Sequence, residues 1–137
     1  MAQYGMRILI PGSMEKVKPR VLDALKAQGF GVLTEIDVQK MMKEKIGVEF
    51  EPYLILGACN PQLAHQALSG DRSIGLLLPC NVVLRKEGPN VEVSILDPEA
   101  MFSIVEPETK KILATLPQEA KRRLQAALAS LERSGGD

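Results

Sequence analysis

The sequence predicts an α+β domain built on a mixed or mostly antiparallel sheet of about five strands, and three observations lead there. Five short segments rich in strand-forming residues (6–10, 31–36, 53–58, 74–85 and 91–96) are interleaved with stretches whose apolar residues recur at helical spacing. The last two segments are separated only by Lys86-Glu87-Gly88-Pro89-Asn90, a composition suited to a hairpin loop, which calls for at least one antiparallel pair. Finally, 137 residues with 45% hydrophobic and 25% charged side chains match an ordinary globular domain, long enough to bury about two thirds of the surface its unfolded chain exposes.

Each element has its own justification. Segment 6–10 ends at the turn Pro11-Gly12-Ser13. Val17, Val21, Leu22 and Leu25 then mark a helix that stops at Gly29, and Pro19 is expected in its first turn, so that the regular part begins close to that proline. After the second strand Asp37 is placed to cap a short helix with Val38, Met41, Met42 and Ile46 on its apolar side and Gly47 at its end. Asn60-Pro61 follows the third strand as N-cap and first helical residue, with Leu63, Ala64, Ala67 and Leu68 along one side and Gly70-Asp71 as the stop.

Pro79 lies inside the apolar run 74–85, where it cannot donate to a sheet ladder, so a bulge or strand break is expected at Pro79-Cys80-Asn81. In the last strand Val91, Val93 and Ile95 alternate with Glu92 and Ser94, the pattern of one wet face. Asp97-Pro98 repeats the cap-plus-proline device ahead of a short helix through Met101 and Phe102. Pro107 and Pro117 punctuate the chain beyond that helix, and Ala120, Leu124, Ala127, Leu128 and Leu131 form the apolar stripe of a final helix. With no repeat, linker or break in composition, residues 1–137 read as one domain, with an ordered core over 6–131 and a frayed tail over 132–137.

The charge balance narrows the function. Seventeen basic residues offset seventeen acidic ones, so no overall positive field favours a nucleic-acid backbone, and the run Lys121, Arg122, Arg123 reads as a solvated helix face. Residues 1–7 are too short and polar for a secretory signal, and the longest nearly apolar run, 74–84, falls short of the ~20 residues that span a bilayer. A cytoplasmic protein with no membrane partner is the expectation, and there two cysteines are expected as thiols. The chain has no glycine-rich phosphate loop and no nucleophile elbow, and Gly29-Phe30-Gly31 does not extend into a dinucleotide fingerprint. No catalytic constellation emerges, an enzyme is not favoured, and no cofactor is expected.

Cys59 is the most suggestive residue, because it immediately precedes the helix begun by Asn60 and Pro61. Free amides and the positive end of the helix dipole there would lower a thiol pKa. The competing explanation is a small buried hydrophobe at the end of a strand. Cys80 is likewise followed by asparagine, Asn81, so the two Cys-Asn turns would face each other if their strands were neighbours, and cysteines whose Cα atoms come within about 7 Å can pair. His65, the sole histidine, would complete a Cys59, Cys80, His65 metal set, but the spacing fits no paired-ligand zinc pattern and a surface histidine explains it better. If a metal binds, Cys59 and Cys80 alone would hold it, as a soft ion such as Cu(I). Glu35 and Asp37, two apart at a strand end, would make an acid/base pair, although capping accounts for Asp37 and equally for Asp97.

Through Glu35-Ile36-Asp37-Val38-Gln39, Gly57-Ala58-Cys59-Asn60-Pro61, Leu77-Leu78-Pro79-Cys80-Asn81-Val82 and Asp97-Pro98, the chain resembles the family catalogued as domain of unknown function 302. The likeness runs in the family's order from about Met6 to the last helix. It implies a compact two-layer fold with helices packed on one face of the sheet, and it brings no assigned reaction. Family members exist in which one motif cysteine is replaced by a small or apolar residue; this chain is of the two-cysteine variety. Two functional readings remain: a small-ligand, soft-metal or redox-sensing module using the Cys59/Asn60 and Cys80/Asn81 turns, or a non-catalytic homodimeric interaction protein whose motifs shape the fold.

Overall fold

In the computed structural model, which describes residues 3–134, five strands form one open sheet in the order β1-β5-β4-β3-β2. They are β1 (Gly5–Pro11), β2 (Gly31–Asp37), β3 (Tyr53–Cys59), β4 (Cys80–Glu87) and β5 (Asn90–Leu96), and each neighbouring pair is antiparallel. The helices are α1 (Met14–Ala27), α2 (Val38–Ile46), α3 (Pro61–Gly70), α4 (Pro98–Met101), α5 (Pro107–Leu113) and α6 (Leu116–Ser134), with two 3-10 turns at Arg72–Leu77 and Phe102–Ile104. This is the expected two-layer α+β fold, with a sheet that is antiparallel throughout.

Because β1 and β2 occupy opposite edges, α1 has to carry the chain across the sheet. It does so over the face formed by Ile10, Leu54, Leu56, Val82, Leu84, Val91, Val93 and Ile95, all buried. Alternation along each strand puts these side chains on one face. α6 lies beside α1 and contributes Ala120, Leu124, Ala127, Leu128 and Leu131, the stripe read from the sequence, to the same core. A second, smaller cluster joins Ala67, Ile74, Cys80, Met101, Phe102 and Leu113 at the end of the sheet where β3 stops and β4 starts. The other face stays largely uncovered. There Glu92 is buried between the guanidinium groups of Arg7 (3.8 Å) and Arg85 (2.6 Å).

Three local expectations change. α1 begins at Met14 rather than near Pro19, because Ser13 caps it, its hydroxyl accepting from the Lys16 amide at 3.2 Å. Pro19 therefore sits inside the helix, where the carbonyl deprived of its partner belongs to Glu15, an exposed residue that water can reach. Residues 72–77 are a 3-10 turn and not the first half of a strand. Asp71 turns the chain by accepting from the Ser73 amide (3.0 Å) and hydroxyl (2.6 Å), and β4 starts only at Cys80, after a cis Leu78–Pro79 peptide.

The break predicted at Pro79-Cys80-Asn81 is thus confined to Pro79, placed at the strand entry where its missing N–H interrupts no ladder. Its ring lies against Gly57. A Cβ on Gly57 would stand 2.8 Å from Pro79 Cγ and would also overlap Thr34 Oγ1. Finally, α2 buries only Val38. Met41 and Ile46 from its expected apolar side are exposed, and Gly47 ends it in the left-handed conformation (φ 66°). α6 runs on to Ser134, so the frayed tail expected over 132–137 is helical through 134, and its remainder, 135–137, lies outside the described residues.

Leu124 is fully buried between α1 and the sheet. Leu124→Ala is expected to cost about 3 kcal/mol of unfolding free energy, read as a lowered urea midpoint at unchanged slope.

Candidate functional site

The site forms where β3 hands over to α3. Asn60 bridges them in an extended conformation, its Oδ1 accepting from the Leu63 amide at 3.1 Å, and Pro61 opens the helix. Both roles follow from residue type: asparagine reaches the third amide, and proline has no amide to leave unpaired. One strand away, Cys80 begins β4 paired with Ala58. Cys59 is therefore one residue out of register with Cys80, and alternation along β3 aims its side chain away from the core face that Ala58 and Cys80 share.

Both cysteines are among the residues lining one apolar cavity of about 40 Å³. Ala58, Asn60, Leu63, Ala64 and Ala67 form its β3–α3 side, and Phe30, Leu78, Phe102, Leu116 and Ala120 complete its walls. Cys59 is half-buried, Cys80 and Asn60 are buried, and both cysteines are free thiols. The Asn60 amide nitrogen points towards Gly29, lying 2.9 Å from where a Cβ on that glycine would stand, with Arg123 Nη1 3.7 Å from the same point. Gly29, at φ +83°, is needed there both for the turn and for the close approach.

Burial pushes the Cys59 thiol up from its ordinary value, the opposite of the lowering expected from a helix N-terminus. Three of the four amide positions of that first turn, 61, 63 and 64, are already engaged or missing. Pro61 has none, Leu63 donates to the Asn60 side chain, and Ala64 donates to the Asn60 carbonyl at 2.9 Å. Little is left to stabilise a thiolate. Cys80 is pushed up to about 11, first by burial and second by the neighbouring Cys59.

The remaining candidates separate from this centre. Asn81 is exposed and, one residue from Cys80 along β4, projects from the opposite sheet face, while Pro61 is exposed outside the cavity. His65 lies on α3 beside Gln66, Ile112 and Thr115, away from both thiols. Among the described residues no three His, Cys, Asp or Glu side chains converge on a metal-sized space, so the Cys59, Cys80, His65 set is not assembled.

Glu35 and Asp37 are each otherwise engaged. Glu35 pairs with Lys18 of α1 at 2.5 Å, and Asp37 caps α2 through the Lys40 amide at 3.0 Å. Asp97 caps α4 through the Glu99 amide (2.9 Å) and binds Lys121 of α6 (2.9 Å), fastening one helix to the other. The basic run is ion-paired as well: Lys121 binds Asp97 and Glu99, and Arg122 and Arg123 both grip Glu119 and hold its carboxyl down at about 2.

Sequence reasoning missed the far wall of the cavity, Phe30, Phe102 and Leu116, because no local pattern joins those positions. It also missed the hydrogen bond from buried Thr109 to Asp71 Oδ2 (2.8 Å), which ties α5 to the end of α3 and holds the Asp71 carboxyl below its ordinary range together with Ser73. Asp71 two residues before Ser73 was the available signal, the spacing of an aspartate that turns on its own backbone.

Residues 6–131 match the family model described as domain of unknown function DUF302. The chain belongs to this family. Among solved structures it is similar to an uncharacterized conserved DUF302 protein from Bacillus stearothermophilus, with 28% sequence identity over 92% of this chain and 99% of that one and a TM-score of 0.77. No curated protein matches the chain. Membership in DUF302 thus accounts for the shared sheet and helices and assigns no chemistry to the cavity.

The raised Cys80 pKa has a consequence for stability. In the unfolded chain this thiol ionises around its ordinary value of 9.0, whereas in the folded chain it stays protonated to about 11. Between those values the unfolded state holds fewer protons, so stability that is complete below pH 9 is lost as the pH rises towards 11, by up to about 3 kcal/mol. Cys80→Ala is expected to flatten this alkaline limb, measured as denaturation midpoints of wild type and variant from pH 8 to 11.

Proposed function

We propose that the protein is a binding and sensing module for a soft monovalent cation of the Cu(I) class, held between the Cys59 and Cys80 sulfurs. The observation that carries this reading is that two cysteines line one apolar cavity of about 40 Å³. A benzene-sized guest needs an apolar cavity of about 150 Å³, so organic ligands of more than a few atoms do not fit without rearrangement. A bare ion does. Soft thiolates select Cu(I), and two of them in line satisfy it, whereas Zn²⁺ asks for three or four protein ligands. A reducing cytosol, the compartment expected from the cysteine usage, would keep both sulfurs available.

Capture releases the thiol protons, and both thiols are raised. Affinity therefore climbs with pH, by about a hundredfold per unit while two protons leave together. Reduced protein, titrated without oxygen against a coloured Cu(I) chelator, is expected to take one equivalent in two-coordinate sulfur geometry by X-ray absorption, and to bind no Zn²⁺. Cys59→Ser and Cys80→Ser should each abolish uptake. Failure of the wild type to compete with the chelator at any pH up to 9, or undiminished uptake by the double variant, would overturn the reading.

A second reading, the homodimeric interaction protein, is supported by the uncovered sheet face, where Leu9 and Ile36 are 55% and 47% exposed. The apolar stripe of α6 does not support it, being buried in the protein's own core. Light scattering at millimolar concentration is the test: a dimer lost on Leu9→Glu supports this reading, and a monomer throughout removes it.

A further inference from the structure

We propose that the protein binds the carboxylate of a small organic acid in a second site, formed by Asn60, Arg123 and the bare backbone of Gly29. Three observations place it there. The first is the side chain of Asn60, only 6% exposed. Its Oδ1 accepts from the Leu63 amide, which leaves Nδ2 as the opposite corner, and among the described residues nothing accepts from that nitrogen. No side-chain nitrogen or oxygen sealed from water lacks a partner among the described residues, so Nδ2 borders space that solvent reaches. It is a donor fixed in place by the helix cap, and a guest's oxygen can replace water on it without rearranging the fold.

The second observation is that two donors meet. Asn60 Nδ2 lies 2.9 Å and Arg123 Nη1 3.7 Å from the one point where a Cβ on Gly29 would stand. Arg123 uses Nε to bond Glu119, and no described group accepts from Nη1. An amide from the start of α3 and a guanidinium from α6 thus face the same spot, and Gly29, at φ +83°, puts no side chain into it. The third observation is charge. Glu119 is gripped by both Arg122 and Arg123, so two positive charges share one negative charge and one is left over. The N-terminal end of α3, a helix of 10 residues, adds a partial positive charge.

These features select the ligand. One excess charge matches a monoanion, and two donors match the two oxygens of a carboxylate. A phosphate dianion would set a second, unbalanced negative charge beside Glu119. The surroundings suit an organic acid: Phe30 follows Gly29, Asn60 itself lines the apolar cavity, and Ala120, another lining residue, precedes Arg123 by one helical turn. The carboxylate therefore sits at the cavity rim with its carbon end beside apolar walls, and a cavity of about 40 Å³ admits only a short chain.

The site does not rest on the metal reading, and its test uses metal-free reduced protein. Acetate and inorganic phosphate are titrated separately into the full chain at constant ionic strength and mildly alkaline pH, where phosphate is a dianion. The side-chain amide of Asn60 and the Cζ carbon of Arg123 are followed by NMR. Expected is a saturable acetate shift at both groups, with phosphate at least about tenfold weaker. Asn60→Asp keeps the cap oxygen for the Leu63 amide, so the helix start survives, but it replaces the donor by a negative charge and should abolish binding. Arg123→Gln should weaken acetate about tenfold or more, and Asn81→Asp, on the far sheet face, should leave it unchanged.

No saturable shift in wild type up to molar acetate, undiminished binding by Asn60→Asp, or phosphate binding tighter than acetate would each overturn the proposal. Acetate bound by a protein that captures no Cu(I) upholds this site and removes the metal reading. Capture of Cu(I) without acetate binding removes this inference alone.

Discussion

In the β3–β4 ladder, the pairing of Ala58 with Cys80 and of Leu56 with Val82 settles which side chains meet the helices. With a side-chain period of two, a slip of one residue would turn Val82 and Leu84 to solvent and bring Asn81 and Val83 into the core. The same pairing sets Cys80 on the core face beside Ala58 at the end of β3, and aims Asn81 and Cys59 to the far face. Gly57 is tied to it too, since the Pro79 ring that precedes Cys80 occupies the space a side chain would need. Core and site are consequently one register, and the cavity lies where the main cluster, through Phe30 and Ala58, meets the smaller one, through Ala67, Cys80 and Phe102.

The walls supplied from later in the chain are held by polar clasps rather than by sheet. Asp97 joins α4 to α6 through Lys121, and Thr109 joins α5 to Asp71. Phe102 and Leu116 come from the chain between and beside these clasps. The acidic capping residues thereby perform two tasks each: one oxygen of Asp97 or Asp71 serves a local amide while the other reaches a different helix. The two tasks are compatible because a carboxylate offers about four acceptor positions.

Much of this was legible in the residues. Four of the five strands, the stripe on α6, and the caps at Asp37, Asn60 and Asp97 followed from periodicity and from short side chains that bond their own backbone. Segment 74–79 was misread because an apolar run looks alike in a strand and in a tight helical turn, and only Asp71 with Ser73 distinguishes them. Pro19 misled because its local penalty is small where the orphaned carbonyl faces water. The shared cavity was out of reach, since strand order is a tertiary fact. The direction of the Cys59 shift was partly within reach: Pro61 announces a missing amide and Asn60 a captured one, so the dipole argument was already weakened by the residues that made the helix start recognisable.

That weakened N-terminus also shapes the chemistry. A thiolate pair in this cavity would look for positive charge, and the guanidinium beside Asn60 belongs to Arg123, whose Nε already bonds Glu119 at 2.9 Å. Glu119 is shared with Arg122 as well, so both guanidinium groups are held on that carboxylate and away from the thiols. Burial keeps the resting thiols neutral, and their proton loss has to be driven by a guest that brings its own positive charge. A soft cation meets this condition at the size the cavity allows.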